Sequence, residues 1–257
     1  TITLRTVFSN PGVGGLTFQW QMSLNDLPPW NNVPSMGTDS TCRVLVTTKY
    51  RYYRVIFTCT ASGLSDTSVS AEVVYPQNLP YNEGVENILL IGKDKLWNCW
   101  KVYLDPAKTG EIWTAQVGRT GIGYGLNSGP PPAYPKTMTH NTMLIAPAFE
   151  LQAGKTYRYS FFHKESAGNL CWDSMYVVWG RNNARDSMTN RVGRTLYKFS
   201  FDDYVRFWID FTPTVDGIYY FGIVVQDNDA TKGDINFDDF QLKEVFPCQT
   251  APDIKKG

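Results

Sequence analysis

The chain has 257 residues, 42% hydrophobic and 14% aromatic, enough apolar material for one large β domain or two domains, which excludes a disordered chain. Lys and Arg number 24 and Asp and Glu 24, so the formal net charge is zero and the clustered cationic surplus of a nucleic-acid binder is absent. No apolar run approaches the roughly 18 residues of a membrane span, so membrane insertion by this chain is not expected.

No signal peptide is legible, but the chain opens at Thr1 in mid-pattern and reads as a fragment or processed form of a longer polypeptide. In Leu16–Gln21, Phe18 and Trp20 alternate with polar residues, the period of a strand with one buried face. Asn25 to Trp30 reads as a turn, and further strands are expected over 42–48, 50–60 and 67–75. Turn signals about every ten residues predict a β-sandwich. Trp20 on an early strand, with Tyr53 and Val55 on a late one, has the layout of an immunoglobulin-like domain. Antibody domains carry Cys where Val55 stands, so packing must replace the usual inter-sheet disulfide.

Tyr75 to Pro80 contains two prolines and reads as a linker. The expected division is an Ig-like β-sandwich over 1–76, a linker at 77–80, a larger domain over 81–246 and a tail at 247–257. In the larger domain, strands are expected over 96–103, 111–117, 142–149, 156–163, 175–179, 195–201, 205–211, 218–226 and 235–245. The Gly-, Pro- and Tyr-rich stretch 118–141 reads as a long loop, and 184–192 as one short helix. Pro147 breaks the apolar run from Leu144 to Phe149, which suits an edge or a strand end. Gly154 sits in a turn, after which Tyr157, Tyr159 and Phe161 alternate with Arg158 and Ser160. Nine strands with almost no helix predict an all-β chain whose second domain is a jelly-roll β-sandwich.

Catalytic chemistry finds little support. The two histidines are His140, in the expected loop, and His163, at a strand end. No Gly-x-Ser-x-Gly elbow occurs, and nothing in the sequence sets Glu111, Glu150 or Glu165 across a cleft as a glycosidase pair. The five cysteines, Cys42, Cys59, Cys99, Cys171 and Cys248, show no CxxC spacing, so a zinc site is not expected. Cys99 and Cys171 each stand beside a Trp and are read as either a disulfide or two buried thiols. No Asn-x-Ser/Thr sequon occurs.

Phe18-Gln-Trp-Gln-Met-Ser23, Trp30 and Tyr52-Tyr-Arg-Val-Ile-Phe-Thr-Cys59 resemble bacterial Ig-like modules of large surface proteins. In those modules the Cys at the position of Cys59 often pairs with one ahead of the first strand; here the resemblance leaves Cys59 unpaired or paired with Cys42. The run from Leu144 to Phe161 resembles the hallmark of cleaved-adhesin domains, jelly rolls related to MAM-like domains and found in the adhesin regions of gingipains. Pro80 to Glu86, Met175 to Gly180, Asp216 to Gly222 and Ile235 to Leu242 match in the same order, with Ala146 where Thr is more usual. The resemblance covers about residues 80–246. It implies a non-catalytic adhesion or binding module, extracellular or on the outer cell surface of a bacterium, with a host protein or a glycan as ligand. The alternatives are a carbohydrate-binding accessory module of a secreted hydrolase, or a structural stalk.

The resemblance also implies a structural calcium ion where the first strand meets the last, which points to Glu83 and Glu86 with Asp238 and Asp239. Carboxylates so placed repel one another unless a cation or proton lies among them, and Ca²⁺ takes oxygen ligands of this kind. The bland alternative is four solvated edge charges. Asp227 to Asp234 opens as an EF-hand does, but Gly233 falls at the seventh place rather than the sixth, so a hairpin turn is expected. For a glycan, Trp208 stands with Arg206 and Asp210 on the face opposite Val205, Phe207, Ile209 and Phe211. An aromatic ring beside hydrogen-bonding side chains can stack on a pyranose. Tyr124, Tyr134 and Trp172 are further aromatic candidates, against the plain reading that scattered exposed aromatics are ordinary.

Overall fold

The computed structural model describes residues 2–6, 15–24, 26–34, 38–44, 52–86, 99–103, 112–127, 140–165, 172–199, 203–227 and 235–246. The chain divides into two compact units, Thr1–Tyr75 and Pro76–Gly257.

The first unit is built from β1 (Ile2–Arg5), β2 (Leu16–Ser23), β3 (Asn31–Asn32), β4 (Thr41–Val44), β5 (Tyr52–Cys59), β6 (Ser65–Thr67) and β7 (Ala71–Glu72). One sheet pairs β1 with β4; the other runs β3–β2–β5–β6, with β7 also on β5. Their facing sides enclose Trp20, Cys42, Val44, Tyr53, Val55 and Val73. Trp20 lies directly opposite Val55 across β2 and β5, and its indole N–H donates to the Asp39 carbonyl at 2.8 Å. Cys42 is buried and remains a thiol, as does Cys59, so the alternative of a bond between them is not realised. The strand expected over 67–75 is two short pieces. Ser68 lies between them and exchanges hydrogen bonds with the Val55 backbone through its own amide and hydroxyl.

The second unit contains β8 (Tyr81–Glu83), β9 (Lys101–Tyr103), β10 (Ile112–Val117), β11 (Ile122–Asn127), β12 (His140–Ile145), β13 (Phe149–Leu151), β14 (Thr156–Glu165), β15 (Trp172–Gly180), β16 (Asn190–Phe199), β17 (Val205–Phe211), β18 (Gly217–Asp227) and β19 (Ile235–Val245). They form two six-stranded antiparallel sheets. The first runs β10–β11–β19–β14–β17 with β8 also on β19; the second runs β16–β15–β18–β12–β9 with β13 also on β18. This is a jelly-roll sandwich.

Three expectations are corrected. Residues 77–80 are not a linker: Gln77 donates its amide to the Ala148 carbonyl at 2.8 Å, and Leu79 packs on the core of the second unit. The stretch 118–141 is not all loop. It contains β11, joined to β10 by the turn 118–121, where Gly121 has a φ of +60°. Gly123 and Gly125 thin the side-chain pattern of β11, so its period is faint in the sequence. Residues 184–192 are not an α-helix but a 3₁₀ turn, Arg185–Ser187, followed by the start of β16 at Asn190.

The core follows from alternation. Tyr157, Tyr159 and Phe161 point inward from β14 and meet Phe207, Phe211, Phe221, Phe237 and Phe240. Tyr159 stacks on Phe221 at 5.1 Å and Phe161 on Phe207 at 5.3 Å. Each fully buried aromatic contributes on the order of 2 kcal/mol of apolar burial. The indole N–H of Trp100 donates to the Tyr81 hydroxyl at 3.0 Å, which ties the start of the domain into its centre. His163 and Glu165 continue the inward face of β14 and are also buried, Nδ1 3.0 Å from Oε1. The outer face of the second sheet carries its own apolar cluster, including Met143, Ile145, Tyr176, Val178 and Tyr220, on which Met188 packs. No helix among the described residues is long and apolar enough to cross a membrane.

The Tyr159 hydroxyl is enclosed with no hydrogen-bond partner among the described residues, and burial holds its pKa well above the ordinary value. A buried donor without a partner costs about 1–3 kcal/mol. Tyr159→Phe is therefore expected to raise stability by about 1 kcal/mol, seen as a higher urea midpoint at unchanged slope. A lower midpoint would mean that the hydroxyl is satisfied in solution.

Candidate functional site

β19 is flanked by β14 on one side along most of its length. Its other side is shared: β11 takes residues 235–237 and β8 takes 240–242. Asp238 and Asp239 lie at the gap between these two partners. The register slips there as well, because Ser160 faces Gln241 while Phe162 faces Asp238, so Asp239 and Phe240 together stand against Phe161. Asp239 takes a φ of +50°, a left-handed conformation that Asp tolerates better than most residues. The result is a β-bulge, which re-aims side chains next to it. The sequence carries its trace: the inward residues of β19 change phase from Ile235 and Phe237 to Phe240 and Leu242 across the two aspartates.

Asp238 is fully buried, covered by the β10–β11 turn. Its Oδ2 accepts the backbone N–H of Arg119 at 2.6 Å and of Thr120 at 3.1 Å, and its Oδ1 accepts that of Asp239 at 2.7 Å. Burial pushes its pKa up, against the pull of these amides. The nearby Tyr204 hydroxyl is pushed up to about 12 by burial and by the charges of Asp238 and Asp239. Asp239 meets the Arg119 guanidinium at 2.7 Å and the Thr120 hydroxyl at 3.3 Å. That guanidinium also lies 4.0 Å over the Phe162 ring. Glu86 accepts the Ile122 N–H at 3.0 Å, and Gly121 sits so close to this carboxylate that a Cβ there would collide with it. Glu83 accepts the Val85 N–H at 2.9 Å.

The fold thus gathers Glu83, Glu86, Asp238 and Asp239 around one gap in the edge of β19. Their oxygens are of the kind that Ca²⁺ takes. In the arrangement described they accept N–H groups and a guanidinium, and no three His, Cys, Asp or Glu side chains among the described residues converge as ligands.

The outer face of the first sheet continues from this gap. Trp208 on β17, Ser160 on β14, Gln241 on β19 and Asn82 on β8 are successive cross-strand partners and form one row. Arg206 and Phe162 lie above this row; Asp210, Arg158 and Lys243 lie below it. A pocket of about 420 Å³ opens here, with Phe162, Ser160, Arg206, Gln241 and Lys243 among its walls and the acidic gap at one end. Trp208 is 47% exposed. The Arg158 guanidinium lies 4.2 Å over its ring and is held there by two hydrogen bonds to Asp210, at 2.7 and 2.8 Å. That fork holds the Asp210 carboxyl below its ordinary pKa.

The other aromatic candidates are not gathered into this site. Tyr124 is on β11, opposite Phe237, and Trp172 begins β15, opposite Phe199. Tyr134, Cys171 and residues 228–234, where a hairpin turn is expected, lie outside the described residues. Tyr197, 71% exposed on β16, is an outward aromatic that the sequence reading did not single out. That reading also missed Arg119, Phe162, Asn82, Gln241 and Lys243. Phe162 and Gln241 were accessible from strand alternation, whereas Arg119 depends on a turn whose strands were not recognised. His163 is closed inside the sandwich beside Glu165, away from this surface.

No protein-family model matches the chain, and no curated protein matches it significantly. Among solved structures, a cleaved adhesin domain of Lys-gingipain from Porphyromonas gingivalis is similar over 66% of this chain and 100% of its own, with 15% identity and a TM-score of 0.50. A second cleaved adhesin domain of Lys-gingipain matches over 63% and 97%, with 16% identity and a TM-score of 0.47. A xylan-binding domain from Paenibacillus barcinonensis matches over 68% and 99%, with 11% identity and a TM-score of 0.40. The first likeness is one of fold, and it agrees with the jelly roll of the second unit and with the resemblance carried by residues 144–161.

The buried carboxylate organises the gap. Asp238→Ala removes the acceptor of three backbone N–H groups and is expected to lower stability by about 2–4 kcal/mol, measured by urea unfolding. A loss under about 0.5 kcal/mol, the scale of an ordinary surface substitution, would show that the turn holds without it.

Proposed function

We propose that this chain is a non-catalytic binding module of an exported bacterial surface protein, and that the outer face of the first sheet of its second unit takes a glycan. The observation that carries this reading is the row Trp208–Ser160–Gln241–Asn82, of which Ser160, Gln241 and Asn82 line one open pocket and the half-exposed Trp208 continues the row beyond it. Sugars offer hydroxyl groups and apolar ring faces, which amide side chains and an exposed indole match. The Arg158–Asp210 fork holds the indole in place, so little order remains to be imposed when a ligand arrives. An accessory carbohydrate-binding module would use the same surface. A host protein is the other ligand that the family resemblance allows, and the polar, pocketed character of this face favours the sugar.

We propose in addition a structural calcium ion at the gap in the edge of β19, held by Glu83, Glu86, Asp238 and Asp239 in exchange for Arg119. Support comes from the gathering of four carboxylates around one turn and from the burial of Asp238. The ion would neutralise these charges and fasten the β10–β11 turn to β8 and β19.

Two outcomes are expected. On a glycan array the whole chain binds a defined set of oligosaccharides, and Trp208→Ala weakens that binding about tenfold, the scale of one lost stacking contact. Binding that survives this change moves the site elsewhere. Removal of calcium by a chelator lowers Tm by about 5 °C, as expected for an ion present near a hundredfold over its Kd. An unchanged Tm in calcium-free buffer would leave Arg119 as the cation of the site.

A further inference from the structure

We infer that the sugar recognised in this pocket carries a carboxylate, as a hexuronic acid does; the inference rests on the glycan reading above. The pocket is bordered by three cations, Arg119, Arg206 and Lys243, and by two carboxylates, Glu83 and Asp239. These charges are not equivalent. Arg119 and Asp239 are paired at 2.7 Å. Glu83 is turned to the Val85 N–H. Arg206 and Lys243 form no ion pair with any described carboxylate. The nearest cross-strand neighbour of Lys243 on β14 is Arg158, whose charge is already met by Asp210.

Among the described residues, Arg206 donates one hydrogen bond, from Nη2 to the Ser160 hydroxyl at 3.1 Å. A guanidinium has five N–H donors in a planar fork suited to a planar carboxylate. The Ser160 contact turns this fork towards the middle of the row without using it up. Beside it, Gln241 Nε2 donates to Asn82 Oδ1 at 2.8 Å, which leaves Gln241 Oε1 and Asn82 Nδ2 for sugar hydroxyls. An acidic sugar laid along the row from Trp208 towards Gln241 would thus meet Arg206 on one flank and Lys243 on the other, with the Gln241 and Asn82 side-chain amides beside it. A neutral sugar would use only the latter.

A peptide carboxylate is the less suitable ligand. The pocket lies over the side-chain face of β8, β19, β14 and β17, not along the outer edges of β8 and β17, where a peptide strand would have to add.

The test is calorimetric titration of the whole chain with trimers of galacturonic and glucuronic acid, with their methyl esters and with a sulfated trisaccharide. The ester keeps the ring and removes the charge. An acid trimer is expected to bind about tenfold or more tightly than its ester, with an affinity that falls as salt is raised. Arg206→Gln and Lys243→Gln should each reduce the acid's affinity by several-fold, leave the ester's unchanged and leave Tm unchanged. Arg191→Gln removes the same charge from the other sheet, where Arg191 lies over Tyr176, and should have no effect. Equal binding of acid and ester, with Trp208→Ala still harmful, overturns the acidic ligand and keeps the glycan. Preference for the sulfated sugar replaces the carboxylate by sulfate. Binding of no sugar, here or on the array, removes the glycan reading and the inference together.

Discussion

A carboxylate that cannot reach water sets the local structure of the second unit. Asp238 lies where β19 exchanges one neighbour for another, and the bulge at Asp239 is what places both aspartates against the β10–β11 turn. Without an acceptor in that gap, the amides of Arg119, Thr120 and Asp239 would lose their partner. With it, three segments distant in sequence, around residues 83–86, 119–122 and 238–241, are fastened together. Any ligand surface beside the gap inherits its rigidity from this arrangement.

The two faces of the first sheet answer different demands. Inward, β14 and β17 present aromatic rings close enough to stack. Outward, the same strands present Arg158, Ser160 and Phe162 opposite Asp210, Trp208 and Arg206. Because side chains alternate strictly, the packing that fixes Tyr159 and Ile209 also fixes the spacing of the outward row.

Much of this was legible in the sequence. The alternation of 205–211 separated Trp208 from the core correctly, since Phe207, Ile209 and Phe211 are all buried. The four acids were read as neighbours through a family resemblance; in the fold they border one gap, and no three of them converge as ligands. What the sequence withheld is the identity of their partners. Arg119 meets Asp239 across 120 residues of chain, a contact that no local period announces. β11 was hidden because Gly123 and Gly125 leave little pattern to read. The short helix expected near 184–192 failed because a stretch without alternation is compatible with a turn as well as with a helix, and the strand that begins at Asn190 claims its second half.

The pairing of β8 with β19 has a mechanical consequence. The two strands are antiparallel, with Tyr81 opposite Leu242 and Glu83 opposite Phe240, so the chain enters and leaves this pair at the same end. A pull between the residues before Tyr81 and those after Leu242 would therefore act on the ladder one bond at a time, as on a zipper, rather than on all its bonds at once in shear. Peeling would begin at Tyr81 and run towards the acids. There it would meet Glu86 on the Ile122 amide, and beyond it the turn anchored by Asp238. The gap in β19 thus stands where such tearing would be arrested, after Asn82 has parted from Gln241 but before β14 and β17 are reached.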